Sequence, residues 1–209
     1  SMELSDYIRV LRKNWLTILV LTLVGLGAAA AYSLTRTPVY EASSTVFVST
    51  QTAGSAAELQ QGSTFTQARI NTYIGVATTP LVLNPIIADL DLGVTAKELS
   101  EDLDVTAPLN STLINIAVQN ADPILAADIA NAVAASLSSA VPQIEPESAD
   151  GSSPVRLTRV RDAQPALAPA SPNVPVNLAV GAAAGLLIGL ALAVLRTILD
   201  NKVRTPRDA

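Results

Sequence analysis

Two stretches of the chain lose their polar positions altogether, while the region between them keeps short hydrophobic periods. Trp15–Leu34 runs 20 residues without a charge, and Val176–Leu195 runs another 20 with Asn177 as its one strongly polar member. About 20 consecutive apolar residues span a hydrocarbon core roughly 30 Å thick. The pattern therefore predicts two transmembrane helices, 15–34 and 176–195. A signal peptide's apolar region is shorter, about 7–15 residues, and ends in a small-residue cleavage site. Here Tyr32-Ser33-Leu34 continues past the run of alanines at 28–31, so the first span reads as an uncleaved anchor.

Between the spans the periods switch. Tyr40–Ser49 is rich in β-branched and aromatic residues, with Val46 and Val48 on one face, and reads as a strand. Residues 50–64 are small, polar and glycine-containing, and read as a loop. Thr66–Thr79 places Ile70, Tyr73, Ile74 and Ala77 at helical spacing up to Pro80. A second short helix follows to Leu92, with Leu83, Ile86, Ile87 and Leu90 as its stripe and Gly93 as its C-terminal cap. Thr95-Ala-Lys-Glu98 fits a capping box that opens a helix to about Leu103. A strand is expected to start at Asp104–Ala107, and Asn110-Ser111 reads as a turn. In Leu113–Gln119, Ile114, Ile116 and Val118 face one way and Asn115 and Gln119 the other, as in a half-buried strand. Asp122-Pro123 supplies an N-cap and a first-turn proline. The helix after it should run to about Val141, with Leu125, Ile129, Val133, Leu137 and Val141 as its core stripe. Pro142–Pro154 is acidic and rich in Pro and Ser, hence a flexible loop, and Val155–Ala163 reads as a last strand.

The fold class expected is an α+β exported domain, helices packed on a small mixed sheet, held between two transmembrane helices. Its first and last strands should lie side by side and antiparallel, because each leads to a span. The domains read as a stub 1–14, span 15–34, domain 35–175 with a Pro-rich end 164–175, span 176–195, and stub 196–209.

Charge sets the expected orientation. Residues 35–175 hold six basic residues against fourteen acidic ones, a net of −8, whereas Arg9, Arg12 and Lys13 precede the first span and Arg196, Lys202, Arg204 and Arg207 follow the second. Positive flanks stay inside. Both termini are therefore expected in the cytoplasm and the middle domain outside the membrane. The chain has no Cys and no His, which excludes disulfides, Cys nucleophiles and His-based acid–base chemistry. The acidic middle gives nucleic acid no basic face. No phosphate loop of the form G-x-x-x-x-G-K-[ST] occurs.

Four ordered segments carry a resemblance. They are the opening LSDYIRVLRKNW; the strand and helix STLINIAVQNADPILAADIANAVAASL with Asp122, Pro123, Ala126, Ala127, Ile129, Ala130 and Asn131; the Pro-rich entrance QPALAPASPNVPVNLAVGAAAGLLIGL; and the closing ILDNKVRTPRD. In this order they resemble the Wzz family of polysaccharide co-polymerases, the chain-length determinants of bacterial surface glycans. Enteric O-antigen regulators share the layout but have a much longer exported domain. At 141 residues the region here is similar to the compact Gram-positive type that serves capsule or exopolysaccharide synthesis. The resemblance implies a homo-oligomer beside a polysaccharide polymerase or export machinery. It also implies a cytoplasmic tyrosine kinase, in the same chain or as a separate protein.

Candidate site residues follow from chemistry. Gly181, Gly185 and Gly189 form a G-x-x-x-G-x-x-x-G face, and Gly25 with Ala29 and Gly27 with Ala31 offer small faces on the first span. Small residues at this spacing let helices approach closely in lipid, either between the paired spans or between protomers. Pro165, Pro169, Pro172 and Pro175 fix φ and remove donors, and read as a stiff extended segment or a plain linker. Arg156, Arg159 and Arg161 are the one exported basic cluster, read as a solvated strand face or as a contact for a protomer or an anionic glycan. Sugar sites stack rings on aromatics. The exported region has only Tyr40, Phe47, Phe65 and Tyr73, at least two of them expected on core faces. Asp89/Asp91 and Glu101/Asp102/Asp104 pair carboxylates without an evident cleft, so no catalytic residue, cofactor or metal is expected. The leading function is a non-enzymatic regulator of glycan chain length or export. The alternative is a two-span membrane sensor or adaptor whose ectodomain signals to a cytoplasmic kinase.

Overall fold

The computed structural model describes residues 4–50, 56–147, 151 and 153–202; the side chains of 4–7, 56–63, 65 and 200–202 are outside that description. Phe65, Arg204 and Arg207 are therefore not placed. The elements are α1 (Leu4–Thr35), β1 (Tyr40–Thr50), α2 (Ala56–Ala77), α3 (Pro80–Asp89), α4 (Ala96–Glu101), β2 (Leu103–Thr106), β3 (Leu113–Asn120), α5 (Pro123–Ile144), β4 (Val155–Arg161) and α6 (Val174–Lys202). They gather into two compact units, one from the two chain ends and one spanning Pro38–Ala170.

In the first unit α1 and α6 pair as a hairpin. Each helix outruns the apolar window that marks it, because helix-forming Arg, Lys and Leu continue the hydrogen-bond ladder past the apolar stretch. By length and composition Ile8–Thr35 and Val174–Leu199 can each cross a membrane. Polar side chains within them bond to their own helix backbone: Thr22 Oγ1 donates to the Ile18 carbonyl at 2.8 Å and Thr197 Oγ1 to that of Ala193 at 2.8 Å.

The second unit is a four-stranded sheet of order β2-β3-β1-β4 with helices on one face. All three pairings are antiparallel, so the sheet is not mixed as expected. The inner strand β1 runs between β3 and β4, both opposite to it in direction. The expected pairing of first and last strands is present, Val48 opposite Leu157 and Thr50 opposite Val155. Alternation decides the faces: Ala42, Val46 and Val48 on β1 and Ile114, Ile116 and Val118 on β3 are buried, while Phe47 turns outward at 39% exposure. Of the four aromatics, at least two of them expected on core faces, Tyr73 is buried, Phe47 faces out and Tyr40 is half-buried.

Helix α5 lies across this inner face. Asp122 Oδ1 accepts from the backbone N–H groups of Ile124 and Leu125 at 2.8 and 3.3 Å, with Pro123 in the first turn. Ile129, Val133, Leu137 and Val141 are buried as expected, while Leu125 is only partly so. Ala126, Ala127, Ala130, Ala134 and Ala140 widen the stripe and let the backbone sit close to the sheet. This helix is also apolar enough to cross a membrane, but its apolar face is used on β1 and β3. Each fully buried Val, Leu or Ile contributes about 1.5–3 kcal/mol.

Several expected boundaries are corrected. The region read as a loop at 50–64 is helical from Ala56 onward, residues 51–55 being undescribed. Ala56-Ala57-Glu58-Leu59-Gln60-Gln61 are strong helix formers that outweigh Gly62. At α3 the residue just past the C-cap is Asp91 (φ 49°), while Gly93, also left-handed at φ 62°, lies two residues further on. The Leu92 N–H returns to the Ile87 carbonyl at 3.1 Å, closing the helix two residues before the glycine. The capping box forms as expected, Glu98 N–H to Thr95 Oγ1 at 3.2 Å and Thr95 N–H to Glu98 Oε2 at 2.8 Å. Its helix stops at Glu101, because Leu103 already pairs with Val118 on β3. Finally, α5 runs through Pro142 to Ile144. A proline in a last turn forfeits one hydrogen bond, and the turn survives here.

Candidate functional site

The hairpin is built on glycines that have no room for a side chain. A Cβ on Gly25 would collide with the Gly181 carbonyl, and one on Gly181 with the Gly25 carbonyl and the Ala29 methyl. On Gly185 it would meet the Leu21 carbonyl, and on Gly189 it would come 3.0 Å from the Ile18 Cα. The two helices thus touch backbone to backbone along three turns of α6. Gly27 has nothing within 4 Å and lies off this contact. A side-chain hydrogen bond crosses the pair, Asn177 Nδ2 donating to Ser33 Oγ at 3.1 Å. A groove of about 430 Å³ runs beside the contact, lined by Leu21, Val24, Tyr32, Val180, Ala184 and Ile188 among others.

The three arginines do not act as one cluster. A bulge between Thr45 and Val46 sets Arg161 opposite Thr45 and Arg159 opposite Val46. Ser44, buried beside the bulge, donates to the Arg161 carbonyl at 2.9 Å. Arg161 therefore stands on the open face of the sheet, giving Nε and Nη2 to Thr45 Oγ1 at 3.2 and 2.9 Å, while Thr45 donates to Asn115 Oδ1 at 3.0 Å. Arg156, opposite Ser49, shares that face. Arg159 is turned to the helix side, paired with Asp162 and donating to the Asn131 carbonyl at 3.4 Å.

Of the prolines, Pro165 and Pro169 are exposed in a stretch without regular structure that follows β4. The Ala170 N–H next to Pro169 donates to the Val39 carbonyl at 2.8 Å. Pro172 precedes α6 and Pro175 occupies its first turn, where no backbone donor is needed. Asp89, Asp91, Glu101, Asp102 and Asp104 are all exposed and share no cleft.

Two arrangements were not legible in the sequence. Asn131 of α5 holds the backbone of Ala163, Nδ2 donating to its carbonyl at 3.0 Å and Oδ1 accepting its N–H at 2.8 Å. Its place in the D-P-x-x-A-A-x-I-A-N segment was the available signal. The other is a buried ionic knot. Glu145, read as part of a flexible loop, has a side chain 1% exposed, and its Oε1 accepts from Arg69 at 3.0 Å and from the Tyr73 hydroxyl at 3.0 Å. Burial first, then the Glu145 bond, pushes the Tyr73 hydroxyl well above the ordinary phenol range. Glu145 Oε2 is buried with no partner among the described residues. Only the i, i+4 spacing of Arg69 and Tyr73 hinted at it.

The family model described as "Wzz: Chain length determinant protein" matches residues 1–90. Over 98% of its length the chain is 29% identical to the "Probable capsular polysaccharide biosynthesis protein YwqC" of Bacillus subtilis, covering 81% of that protein. It is 25% identical to the capsular polysaccharide biosynthesis protein CpsC of Streptococcus pneumoniae, with 100% of this chain and 88% of the relative covered. It is likewise 25% identical to CapA of Staphylococcus aureus, with 99% and 90% covered. The chain is thus similar over its first 90 residues to the Wzz chain-length determinant family, and from end to end to three capsular polysaccharide biosynthesis proteins.

Proposed function

We propose that this chain is a non-enzymatic polysaccharide co-polymerase of the bacterial plasma membrane. End-to-end similarity to capsular polysaccharide biosynthesis proteins is the observation that carries the reading, and it supports a role in the chain length or export of capsule polysaccharide. In this reading 15–34 and 176–195 are the membrane-embedded parts of α1 and α6, in contact with lipid. Residues 35–175 form the extracytoplasmic domain, and the stubs 1–14 and 196–209 are cytoplasmic. The basic flanks and acidic middle support that orientation.

Several copies assemble beside the polymerase or export machinery, with a cytoplasmic tyrosine kinase as partner in the same chain or another. The hairpin's glycines, Gly25, Gly181, Gly185 and Gly189, serve packing within one chain, since each already faces backbone of the other helix. Gly27, where a Cβ would meet nothing within 4 Å among the described residues, is left for a neighbour. Pro165, Pro169, Pro172 and Pro175 stiffen the approach to the second span.

The test is deletion of the gene in the organism that carries it, with surface polysaccharide sized on gels. Loss of long polymer or of surface polysaccharide, restored by the wild-type chain, is expected. An unchanged size distribution and amount would refute the reading.

A further inference from the structure

The sheet is charged oppositely at its two edges. Strand order places β2 and β4 outermost, about 14 Å apart at the usual strand spacing. At the β4 edge Arg156 and Arg161 are exposed on the open face. At the β2 edge stand Asp104, opposite Ala117 on that same open face, and Glu101 and Asp102 just before the strand, all exposed. Arg161 is held in place by the neutral Thr45 hydroxyl, so its charge is fixed in position and uncompensated by that contact. Arg159 belongs elsewhere, tied to Asp162 and α5.

From this polarity we propose that the occupant of the β4 edge is the β2 edge of a second copy of this chain. The proposal rests on the assembly reading above and names the surfaces that carry it. Charge complementarity selects the orientation. A two-fold contact of β4 on β4 would set Arg156 and Arg161 against themselves, and β2 on β2 would oppose carboxylates. Among edge-to-edge contacts only the head-to-tail arrangement brings unlike charges together, and such a contact is heterologous, closing into a ring or running on as a filament. The contact is through side chains rather than a continuous sheet. The bulge at Val160 breaks the regular outer ladder of β4, and β2 is only four residues long; both features discourage strand addition at an edge. An interface of exposed ions is also screened by salt.

The experiment uses the full chain in detergent. One variant carries Arg156→Glu and Arg161→Glu, making both edges acidic; the other carries Glu101→Lys and Asp104→Lys, making both basic. Each alone should lose the assembled species while keeping wild-type circular dichroism. Co-expressed with different tags, the two should recover assembly and co-purify, and high salt should weaken both the wild-type and the mixed complex. Assembly retained by either variant alone, or not recovered in the mixture, overturns edge pairing. Loss with the arginine variant only also overturns it and leaves those arginines to an anionic ligand such as a uronate-bearing glycan. A wild-type chain that stays monomeric at high concentration refutes the assembly reading itself, whatever the variants do.

Discussion

Asn131 on α5 grips Ala163 by both backbone groups, its side-chain amide standing in for the peptide of a missing strand. Ala163 is buried, so water cannot replace either bond. Leaving a buried donor or acceptor unmade costs about 1–3 kcal/mol. Asn131→Ala should therefore lower stability by on the order of 2 kcal/mol, read as an earlier midpoint in thermal or urea unfolding. Asn131→Asp keeps the acceptor and loses the donor, and should fall between.

The hairpin makes a positional prediction. A Cβ built on Gly189 lies 3.5 Å from the Ile18 Cβ, inside the range of about 3.5–4.5 Å that a disulfide needs. The chain has no native Cys, so Ile18→Cys with Gly189→Cys should cross-link cleanly within one chain on mild oxidation. Adding Gly25→Leu should abolish the cross-link, because the Gly181 carbonyl occupies that space. Adding Gly27→Leu should leave it intact. Mobility on non-reducing gels after cleavage between the helices distinguishes the cases.

The Arg69–Glu145–Tyr73 knot predicts a pH dependence at the alkaline end. Burial and the Glu145 bond raise the Tyr73 pKa, so the folded state resists losing a proton that the unfolded state gives up near pH 10. Above that pH the unfolded chain binds fewer protons, and stability falls with rising pH. The contribution is whole below about pH 10 and declines as pH climbs toward the folded value. Urea unfolding from pH 8 to 11 should show that decline in the wild type, and Tyr73→Phe should flatten it. A decline of equal size in Tyr73→Phe would assign it to other groups.

Removing Arg69 tests the same knot from its charged side. Arg69→Met would leave Glu145 buried with the Tyr73 hydroxyl as its one described partner, at a cost of at least about 2 kcal/mol. Arg69→Met combined with Glu145→Gln should recover part of that loss, since no buried charge then remains uncompensated. A double variant as unstable as the sum of the two singles would deny the coupling.

The capping box offers a milder perturbation. Thr95→Ala removes the acceptor for the Glu98 N–H and should cost about 1 kcal/mol. The hydrogen bonds from Thr95 hold the Glu98 carboxyl below its usual range. The support it gives is present above the ordinary glutamate pKa and fades as pH falls through the depressed value. Acid titration of stability in the Thr95→Ala variant should show less of that loss than the wild type.

What the sequence determined by itself is what periodicity and local chemistry carry. The two charge-free runs of 20 residues, the alternation of Ile114, Ile116 and Val118, the Asp122-Pro123 helix start and the Thr95–Glu98 box are all local signals, and each appears where its residues stand. The side-by-side pairing of the first and last strands was also legible, from the order of elements and their short connections. Tertiary structure decided what depends on residues far apart in the chain. The antiparallel sense of every pairing, the bulge that sends Arg159 and Arg161 to opposite faces, and the choice of Gly25 over Gly27 as the contact in α1 all depend on a partner element's position. Glu145 shows the limit most plainly. Its neighbours in sequence are acidic and proline-rich, as in a solvated loop. Yet Arg69 and Tyr73, more than 70 residues away, supply the two bonds that let its carboxylate be buried. A local pattern records the cost of burying a charge, and only the folded chain holds the partners that offset it.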